Sequence, residues 1–259
     1  MFTTDSATAL PFLVDPRPLQ VIANDVNSLR QDALASDAAS SKQLPLARLW
    51  LELVSGSCKI AAALFSRTHC SLVVTMPIRK QARPLKHRAR TILESVLRGS
   101  AQKAVALDLG LAASTITANA QQSLERLGFG GTASRVHPLL ILAATAAGEH
   151  DESVTGALSF VTRGQVAFRV VSIPRPETKL SFALPPAELE IVRCLVEGHS
   201  HDDMARQRGT SKRTVANQIA SLFRRLRVTG RMELVHRLFA LNRTCSSRSS
   251  SHGARALTA

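Results

Sequence analysis

Residues 184–230 read LPPAELEIVRCLVEGHSHDDMARQRGTSKRTVANQIASLFRRLRVTG and carry the strongest structural pattern in the chain. Apolar residues recur at helical spacing over the first third, and Gly198 then predicts the end of a first helix. Ser200 predicts the N-cap of a short second helix. Gly209 can take positive φ in a tight turn, after which Ser211 predicts the N-cap of a third helix. The stretch therefore predicts three helices, the last two joined by a glycine turn.

The third of these helices has two different sides. An apolar stripe with spacing i, i+4, i+7 and i+11 follows one side, at Val215, Ile219, Leu222 and Leu226. The opposite side carries Arg213, Ala216, Asn217, Ala220 and Arg224. A short helix, a turn and a helix with a polar outer side form the helix-turn-helix arrangement, whose second helix enters the DNA major groove. An ordinary helical hairpin inside a core is the alternative, and the basic charge of the stretch disfavours it.

The chain as a whole is strongly basic. Its 259 residues include 33 Lys and Arg against 19 Asp and Glu, a formal net charge of +14. Residues 84–136 and 183–242 each carry a net +4, whereas 137–182 is neutral. Such an excess favours a polyanionic partner, either nucleic acid or an anionic membrane surface. No apolar run approaches the roughly 20 residues that a membrane-spanning helix needs, and we expect no membrane partner.

Several other function classes lack their signatures. Nine Phe, one Trp and no Tyr are few for a protein that stacks single-stranded bases. The four cysteines form no CxxC pair, which disfavours a metal site and suits a reducing compartment. Because the sequence has neither a GxxxxGK[ST] loop nor a nucleophile elbow, we expect no enzyme, no catalytic residues and no cofactor. The first residues do not resemble a signal peptide, so we expect a cytoplasmic protein.

A second stretch aligns with the first without a gap. Residues 85–131 read LKHRARTILESVLRGSAQKAVALDLGLAASTITANAQQSLERLGFGG and lie 99 residues upstream. Overall identity is low, but small and apolar positions coincide, as at Gly110 and Gly209, and this predicts a repeated unit. Farther upstream of each unit, residues 50–65 and 157–171 each read as two apolar runs about a glycine. These runs predict a β-hairpin before each unit.

Residues 183–242 also contain a recurring set of family positions: Leu184, Pro185, Glu188, Gly198, Ser200, Ala205, Thr214, Val215, 222–226, Val228, Arg231, Glu233 and Leu234. With these residues the stretch resembles the LuxR-type (GerE-type) helix-turn-helix domain. The resemblance implies four helices, a third helix that reads DNA, a fourth that often dimerises, and a bacterial transcriptional regulator. Residues 84–146 resemble the same family more weakly, as a degenerate first copy.

The resemblance also implies which side chains meet DNA. The base-facing set is Ala216, Asn217 and Ala220 in the second copy, and Thr117, Ala118 and Gln121 in the first. The phosphate-contacting set is Ser211, Lys212, Arg213, Thr214 and Arg231 in the second copy, and Lys103, Ser114 and Thr115 in the first. Since two of the three base-facing residues of the second copy are alanines, Asn217 is the expected hydrogen-bonding reader. The family often has Lys where this chain has Asp202, which puts one phosphate contact in doubt.

One pair of residues is absent from the first copy. Glu188 and Arg231 of the second copy correspond to Ala89 and Thr132 at the offset of 99. Their joint replacement leads to the hypothesis that Glu188 and Arg231 form a structural ion pair.

The patterns together predict a mainly α protein with small β-hairpins, an α+β fold with two tandem four-helix helix-turn-helix units. The expected divisions are an N-terminal extension over 1–49 with a helix near 19–34, a hairpin region over 50–76, a first unit over 84–146, a second hairpin and non-helical linker over 157–182, a second unit over 183–242, and a disordered basic Ser-rich tail over 243–259.

These features favour a sequence-specific regulator that binds double-stranded DNA. RNA polymerase is a further candidate partner, and either a homodimer or pairing of the two units within one chain is expected. Two alternatives remain open. One is a protein-interaction module that pairs through residues 233–241, and the other is a sequence-neutral DNA-binding protein.

Overall fold

The computed structural model describes residues 42–75, 83–130, 135–163, 166–182 and 184–240. The strands are β1 (Lys42–Pro45), β2 (Lys59–Phe65), β3 (His69–Thr75), β4 (Thr155–Arg163) and β5 (Val166–Pro174). The helices are α1 (Leu46–Val54), α2 (His87–Leu97), α3 (Gln102–Leu109), α4 (Ala113–Arg126), α5 (Pro138–Glu149), α6 (Pro186–Glu197), α7 (His201–Arg208), α8 (Lys212–Leu226) and α9 (231–240). The helix expected near 19–34 and the tail over 243–259 lie outside the described residues.

Helix α1 occupies positions for which the sequence predicted strands. Leu46, Leu49, Trp50 and Leu53 follow the spacing i, i+3, i+4 and i+7 and are all buried, which is the period of a helix. The predicted hairpin region over 50–76 is therefore wrong for its first five residues. The helical pattern begins four residues before that region, so a boundary at position 50 cuts the pattern in two.

The two predicted hairpins belong to one sheet. Strands β2 and β3 form the first hairpin, and β4 and β5 form the second. Strands β3 and β5 then pair antiparallel, with Leu72 opposite Val171, and the complete order is β1-β4-β5-β3-β2. An isolated hairpin leaves two edges of unpaired backbone groups, and joining the hairpins removes one edge from each. The expectation of a separate hairpin for each unit is thus corrected to one five-stranded antiparallel sheet.

The linker after β5 is also more regular than expected. The two prolines in it predicted a non-helical connection, but Pro176–Phe182 forms a 3₁₀ helix. Arg175, just before this helix, is buried and ion-paired with Glu177 and, at 2.7 Å, with Glu197 of α6. Its guanidinium also donates to the carbonyl oxygen of Ser66 at 3.0 Å. These contacts fix the connection between the sheet and the helices that follow.

The helices that precede β4 and β5 in the chain recur after these strands at a constant sequence separation. Helices α3 and α7 begin and end 99 residues apart, and α2 and α6 begin 99 residues apart. Gly110 ends α3 with φ of 62°, and Gly209 ends α7 with φ of 61°. The left-handed conformation is the one that glycine adopts without steric cost. The glycines therefore allow the same sharp turn at the same place in each stretch.

Helix α9 contacts both sets of helices. The imidazole of His236 donates from Nε2 to the carbonyl oxygen of Leu97, the last residue of α2, at 3.3 Å. The guanidinium of Arg231 donates to the carbonyl oxygen of Val196, near the end of α6, at 2.8 Å. Leu97 and Val196 are themselves 99 residues apart. Helix α9 thus donates hydrogen bonds to carbonyl groups at matching positions near the ends of α2 and α6. Carbonyl groups at a helix end otherwise have no partner within the helix.

Helix α5 is the centre of the larger core. It is apolar on all sides, and eight of its residues are buried, as expected for a helix enclosed by other elements. It packs against α1, α2 and β3. The second core lies within α6 to α9, around Met204, Val215 and Leu234. The helix-turn-helix at the C-terminal end therefore has its own hydrophobic core.

Candidate nucleic-acid interface

The entry to α7 is fixed by reciprocal hydrogen bonds. The Ser200 hydroxyl accepts from the backbone N–H of Asp203 at 3.1 Å, and the Asp203 carboxylate accepts from the backbone N–H of Ser200 at 3.0 Å. The predicted N-cap is therefore confirmed, in the form of a capping box. Hydrogen bonds from Ser200, followed by one from Arg206, hold the pKa of the Asp203 carboxyl well below its usual range. The carboxylate is thus charged at neutral pH, at the positive end of the α7 dipole.

The turn between α7 and α8 is equally well defined. Gly209 ends α7, and the backbone N–H of Thr214 donates to the Ser211 hydroxyl at 3.0 Å, which confirms the second predicted N-cap. The apolar stripe of α8 is buried at Val215, Ile219 and Leu222. Because that side is fixed in the core with Met204 of α7, the opposite side of α8 faces solvent.

The solvent side of α8 carries the residues that the sequence predicted for DNA contact. Asn217 and Ala220 are exposed, and Ala216 is half-buried. Ser211, Lys212, Arg213 and Thr214 are exposed around the start of the helix. Among the described residues, Arg213 and Asn217 have no hydrogen-bond partner, so both side chains can bind another molecule.

Arg224 lies on this side of α8 as well, although it is not among the residues predicted to contact DNA. It is exposed and lies seven residues after Asn217 and eleven after Arg213, which places all three on one side of the helix. The helical spacing in the sequence was enough to place Arg224 on this side of the helix. Arg224 adds a second unpaired cation at the far end of α8.

Lys212 is partly neutralised within the protein. Its ammonium group lies 2.9 Å from the carboxylate of Asp202 on α7, and both side chains are more than half exposed. Such a pair contributes little to stability and is screened by salt. Asp202, the acidic residue at a position where the resemblance favours Lys, therefore competes with any phosphate for Lys212.

Arg231 does not lie on the solvent side of α8. Its guanidinium donates to the carbonyl oxygens of Leu195, Val136 and Val196 at 2.5, 2.6 and 2.8 Å. Burial lowers the pKa of this group to about 10. The prediction of a phosphate contact for Arg231 is wrong, because its Nε and Nη2 donate to carbonyl groups inside the protein and its Nη1 is buried too. Sequence alone did not reveal this, since an arginine in a basic stretch has the same pattern in either role.

The hypothesis of an ion pair between Glu188 and Arg231 is wrong too. The Glu188 carboxylate instead accepts from Arg225 of α8 at 2.6 Å. This contact joins the start of α6 to the end of α8. Glu188 is therefore a structural residue, but with a different partner.

Helices α3 and α4 have a less basic surface than α7 and α8, and several of its polar side chains bond within the protein. Thr117 and Ala118 are exposed on α4, and Gln121 is half-buried. The Thr117 hydroxyl donates to Gln102 at 2.9 Å, and the Gln121 amide donates to Glu125 at 3.1 Å. Of the residues that the sequence predicted for phosphate contact here, Lys103 and Ser114 are exposed and Thr115 is half-buried.

Two further features separate this stretch from the C-terminal one. Ala112 stands at the N-cap of α4 and provides no capping hydrogen bond, whereas Ser211 caps α8. Leu107 on α3 is 83% exposed, at the offset position of Arg206. The upstream surface thus lacks a cation and a capping hydrogen bond that the C-terminal surface has.

Among the described residues, no cluster of His, Cys, Asp and Glu could hold a metal ion. None of the described helices has both the length and the apolar character that crossing a membrane requires.

Comparison with known proteins agrees with the geometry of the C-terminal helices. Neither a curated protein nor a solved structure matches the chain. Over residues 183–238, which include α6 to α8 and most of α9, the chain matches the GerE family, described as bacterial regulatory proteins, luxR family. These residues form a LuxR-family helix-turn-helix domain, which indicates DNA binding in transcription regulation.

Proposed function

We propose that the protein is a transcriptional regulator that binds specific sites in double-stranded DNA and inserts α8 into the major groove. The observation that carries the proposal is the unpaired, exposed Arg213 and Asn217 on a helix whose other side is anchored in the core of a GerE-family domain. The two side chains are suited to different parts of DNA. A guanidinium neutralises phosphate on any sequence, whereas an amide can form a bidentate pair with adenine.

The proposed contacts follow from position along α8. Ser211, Lys212, Arg213 and Thr214 stand at the N-terminal end, where backbone N–H groups and the helix dipole also favour phosphate. Asn217 would read an adenine edge, with the methyl groups of Ala216 and Ala220 against thymine methyls. Because hydrogen-bonded readout rests on one side chain, we expect a short or degenerate motif for this domain alone.

We further propose that residues 84–146 are a degenerate copy of the domain over 183–242. The support is the offset of 99 shared by α3 and α7 and by the glycines that end them. The contacts proposed for this copy are base contacts from Thr117, Ala118 and Gln121 and phosphate contacts from Lys103, Ser114 and Thr115. The internal hydrogen bonds of Thr117 and Gln121 would have to open, so this copy would bind more weakly.

Pairing of the two copies within one chain is the arrangement that α9 favours. His236 and Arg231 of α9 each bond to a carbonyl of a different copy, and Val235 and Leu238 are buried. A helix used in this way has little apolar surface left for a second chain. We therefore propose a monomer with two DNA-binding units rather than a homodimer. RNA polymerase would be a further partner of a regulator bound in this way.

The alternative of an interaction module that pairs through residues 233–241 is disfavoured, because α9 has little apolar surface left for a second chain. Sequence-neutral DNA binding is the stronger competitor, because the alanines at positions 216 and 220 limit base readout. The two functions differ in how they respond to loss of Asn217.

The test compares Arg213→Ala, Asn217→Ala and, as a matched control, Arg193→Ala. Arg193 is an exposed residue of α6 and is not part of α8. Affinity is measured by fluorescence anisotropy on an enriched duplex and on a random duplex. We expect Arg213→Ala to weaken both about equally, Asn217→Ala to weaken only the enriched duplex, and Arg193→Ala to change neither. Equal loss on both duplexes for Asn217→Ala would support sequence-neutral binding instead.

A further inference from the structure

A cavity of about 650 Å³ lies where α9 meets the end of α2 and the second half of α5. Its volume falls within the range of about 300–1,000 Å³ that is typical of small-molecule sites. Part of its lining is apolar, with Leu142 and Ala146 of α5, Val154 just before β4 and Phe239 of α9. The first three are buried and Phe239 is half-buried. The cavity thus offers an apolar wall against which a ligand side chain can pack.

Two opposite charges line the same cavity without pairing with each other. Arg98 directly follows α2, and Glu149 is the last residue of α5. Both side chains are exposed, and within the part of the chain that the structure describes neither has a hydrogen-bond or ion-pair partner. The guanidinium of Arg98 lies close to Gly148, where a Cβ would come within 2.8 Å of its Nη1. An unpaired cation and an unpaired anion beside one apolar wall match a ligand that carries both charges.

The other polar side chains of the described lining carry no charge. The Nε2 atom of His236 lies 3.3 Å from the carbonyl oxygen of Leu97 and 3.5 Å from the hydroxyl of Thr145. Burial lowers the pKa of His236, against the opposing effects of the Leu97 hydrogen bond and the Glu149 carboxylate. The imidazole is therefore neutral at neutral pH. A simple acid would leave Glu149 unpaired and a simple amine would leave Arg98 unpaired, so the charges favour a zwitterion.

We propose that this cavity binds an amino acid with a large apolar side chain. Its carboxylate pairs with Arg98, since a guanidinium can hold a carboxylate through two parallel hydrogen bonds, and its ammonium group pairs with Glu149. Its side chain packs against Leu142, Val154 and Phe239 and is stabilised by removal of apolar surface from water.

The cavity is bounded by elements of both hydrophobic cores. Helix α5 belongs to the larger core, whereas most of α9 lies within the GerE match. A ligand in the cavity would therefore bridge the two parts of the molecule and stabilise their joined arrangement by mass action. The proposal does not rest on DNA binding.

Titration calorimetry on the full chain, in the absence of DNA, tests the proposal with matched probes. Leucine carries both charges, isocaproate lacks the ammonium group, isoamylamine lacks the carboxylate, and glycine lacks the side chain. We expect leucine to bind at least ten-fold more tightly than each of the other three. Phenylalanine is titrated as well, because the cavity volume admits an aromatic side chain. Failure of both leucine and phenylalanine to bind at millimolar concentrations, or equal affinity for leucine and any of its three analogues, would overturn the proposal.

Substitution of the two charged residues assigns the contacts. Arg98→Gln is expected to lower the affinity for leucine at least ten-fold and to leave that for isoamylamine unchanged. Glu149→Gln is expected to lower the affinity for leucine by a similar factor and to leave that for isocaproate unchanged. The matched controls, Arg126→Gln and Asp108→Asn, remove the same charges from exposed residues of α4 and α3 that do not line the cavity, and are expected to bind leucine normally. Unchanged leucine affinity in either cavity variant would overturn the proposal, whatever the protein does with DNA.

Discussion

Replacing Arg231 separates a structural role from a DNA-contact role. Arg231→Met keeps the length of the side chain but removes three charged hydrogen bonds to the carbonyl oxygens of Leu195, Val136 and Val196. At about 2 kcal/mol each these bonds amount to about 6 kcal/mol. Burial of the cation opposes these bonds, because it lowers the pKa of the guanidinium from its usual value to about 10, which corresponds to a cost of about 3 kcal/mol. The expected net loss of unfolding free energy is therefore about 3 kcal/mol.

Urea unfolding measures this loss. With a slope of about 3 kcal/mol/M, the midpoint is expected to fall by about 1 M. Arg237→Met is the matched control. It removes the same charge from the same helix, but Arg237 is exposed and makes one 3.3 Å hydrogen bond to Arg227, so we expect a change under about 0.5 kcal/mol.

DNA affinity, measured well below the unfolding midpoint, is expected to be the same for Arg231→Met and Arg237→Met. The reasoning would be refuted if Arg231→Met unfolded at the same urea concentration as the unsubstituted protein while its DNA affinity and salt slope both fell.

Further expected outcomes concern the turn, the cap, the salt response and pH. Gly128→Ala should strongly lower the Tm, because φ at Gly128 is 90° and the added Cβ would lie 2.2 Å from the carbonyl oxygen of Ile60. Gly130→Ala is the control, since a Cβ at Gly130 would meet no atom within 4 Å. Ser200→Ala should cost about 1 kcal/mol in urea unfolding through loss of the cap of α7, and an unchanged midpoint would contradict the capping role. Arg213→Ala should reduce the slope of log affinity against log salt by about one, and an unchanged slope would exclude a phosphate contact. Burial lowers the pKa of His137 from 6.5 to about 3, so between these pH values the unfolded chain binds a proton that the folded chain does not. Stability should fall with decreasing pH in that range, by up to about 1.4 kcal/mol per pH unit from this group, and His137→Gln should show a shallower decrease in urea midpoints.

The local structure of the C-terminal helices was predictable because its signals are local. Ser200 and Ser211 cap helices through bonds to residues three positions away, and Gly209 ends α7 through its own backbone conformation. The buried side of α8 follows from spacing within one helix. Patterns of this kind can be read without knowing what the rest of the chain does.

The joined sheet and the role of Arg231 were not predictable, because both depend on residues distant in sequence. Pairing of Leu72 with Val171 joins strands 99 residues apart, and no feature of either strand specifies that partner. Arg231 bonds to Val136, 95 residues away, as well as to the end of α6. A charged side chain in a basic segment favoured the prediction of a DNA contact. Only the fold shows that Arg231 is already hydrogen-bonded to carbonyl groups inside the protein.

The central claim is specific reading of duplex DNA by α8, and selection from a random duplex library tests it most directly. The purified full chain and its Asn217→Ala variant are taken through the same rounds at the same salt concentration. The account predicts an enriched motif for the unsubstituted protein, and loss of preference at one position of that motif for Asn217→Ala. Binding without any enriched motif, or an identical motif for both proteins, would contradict it.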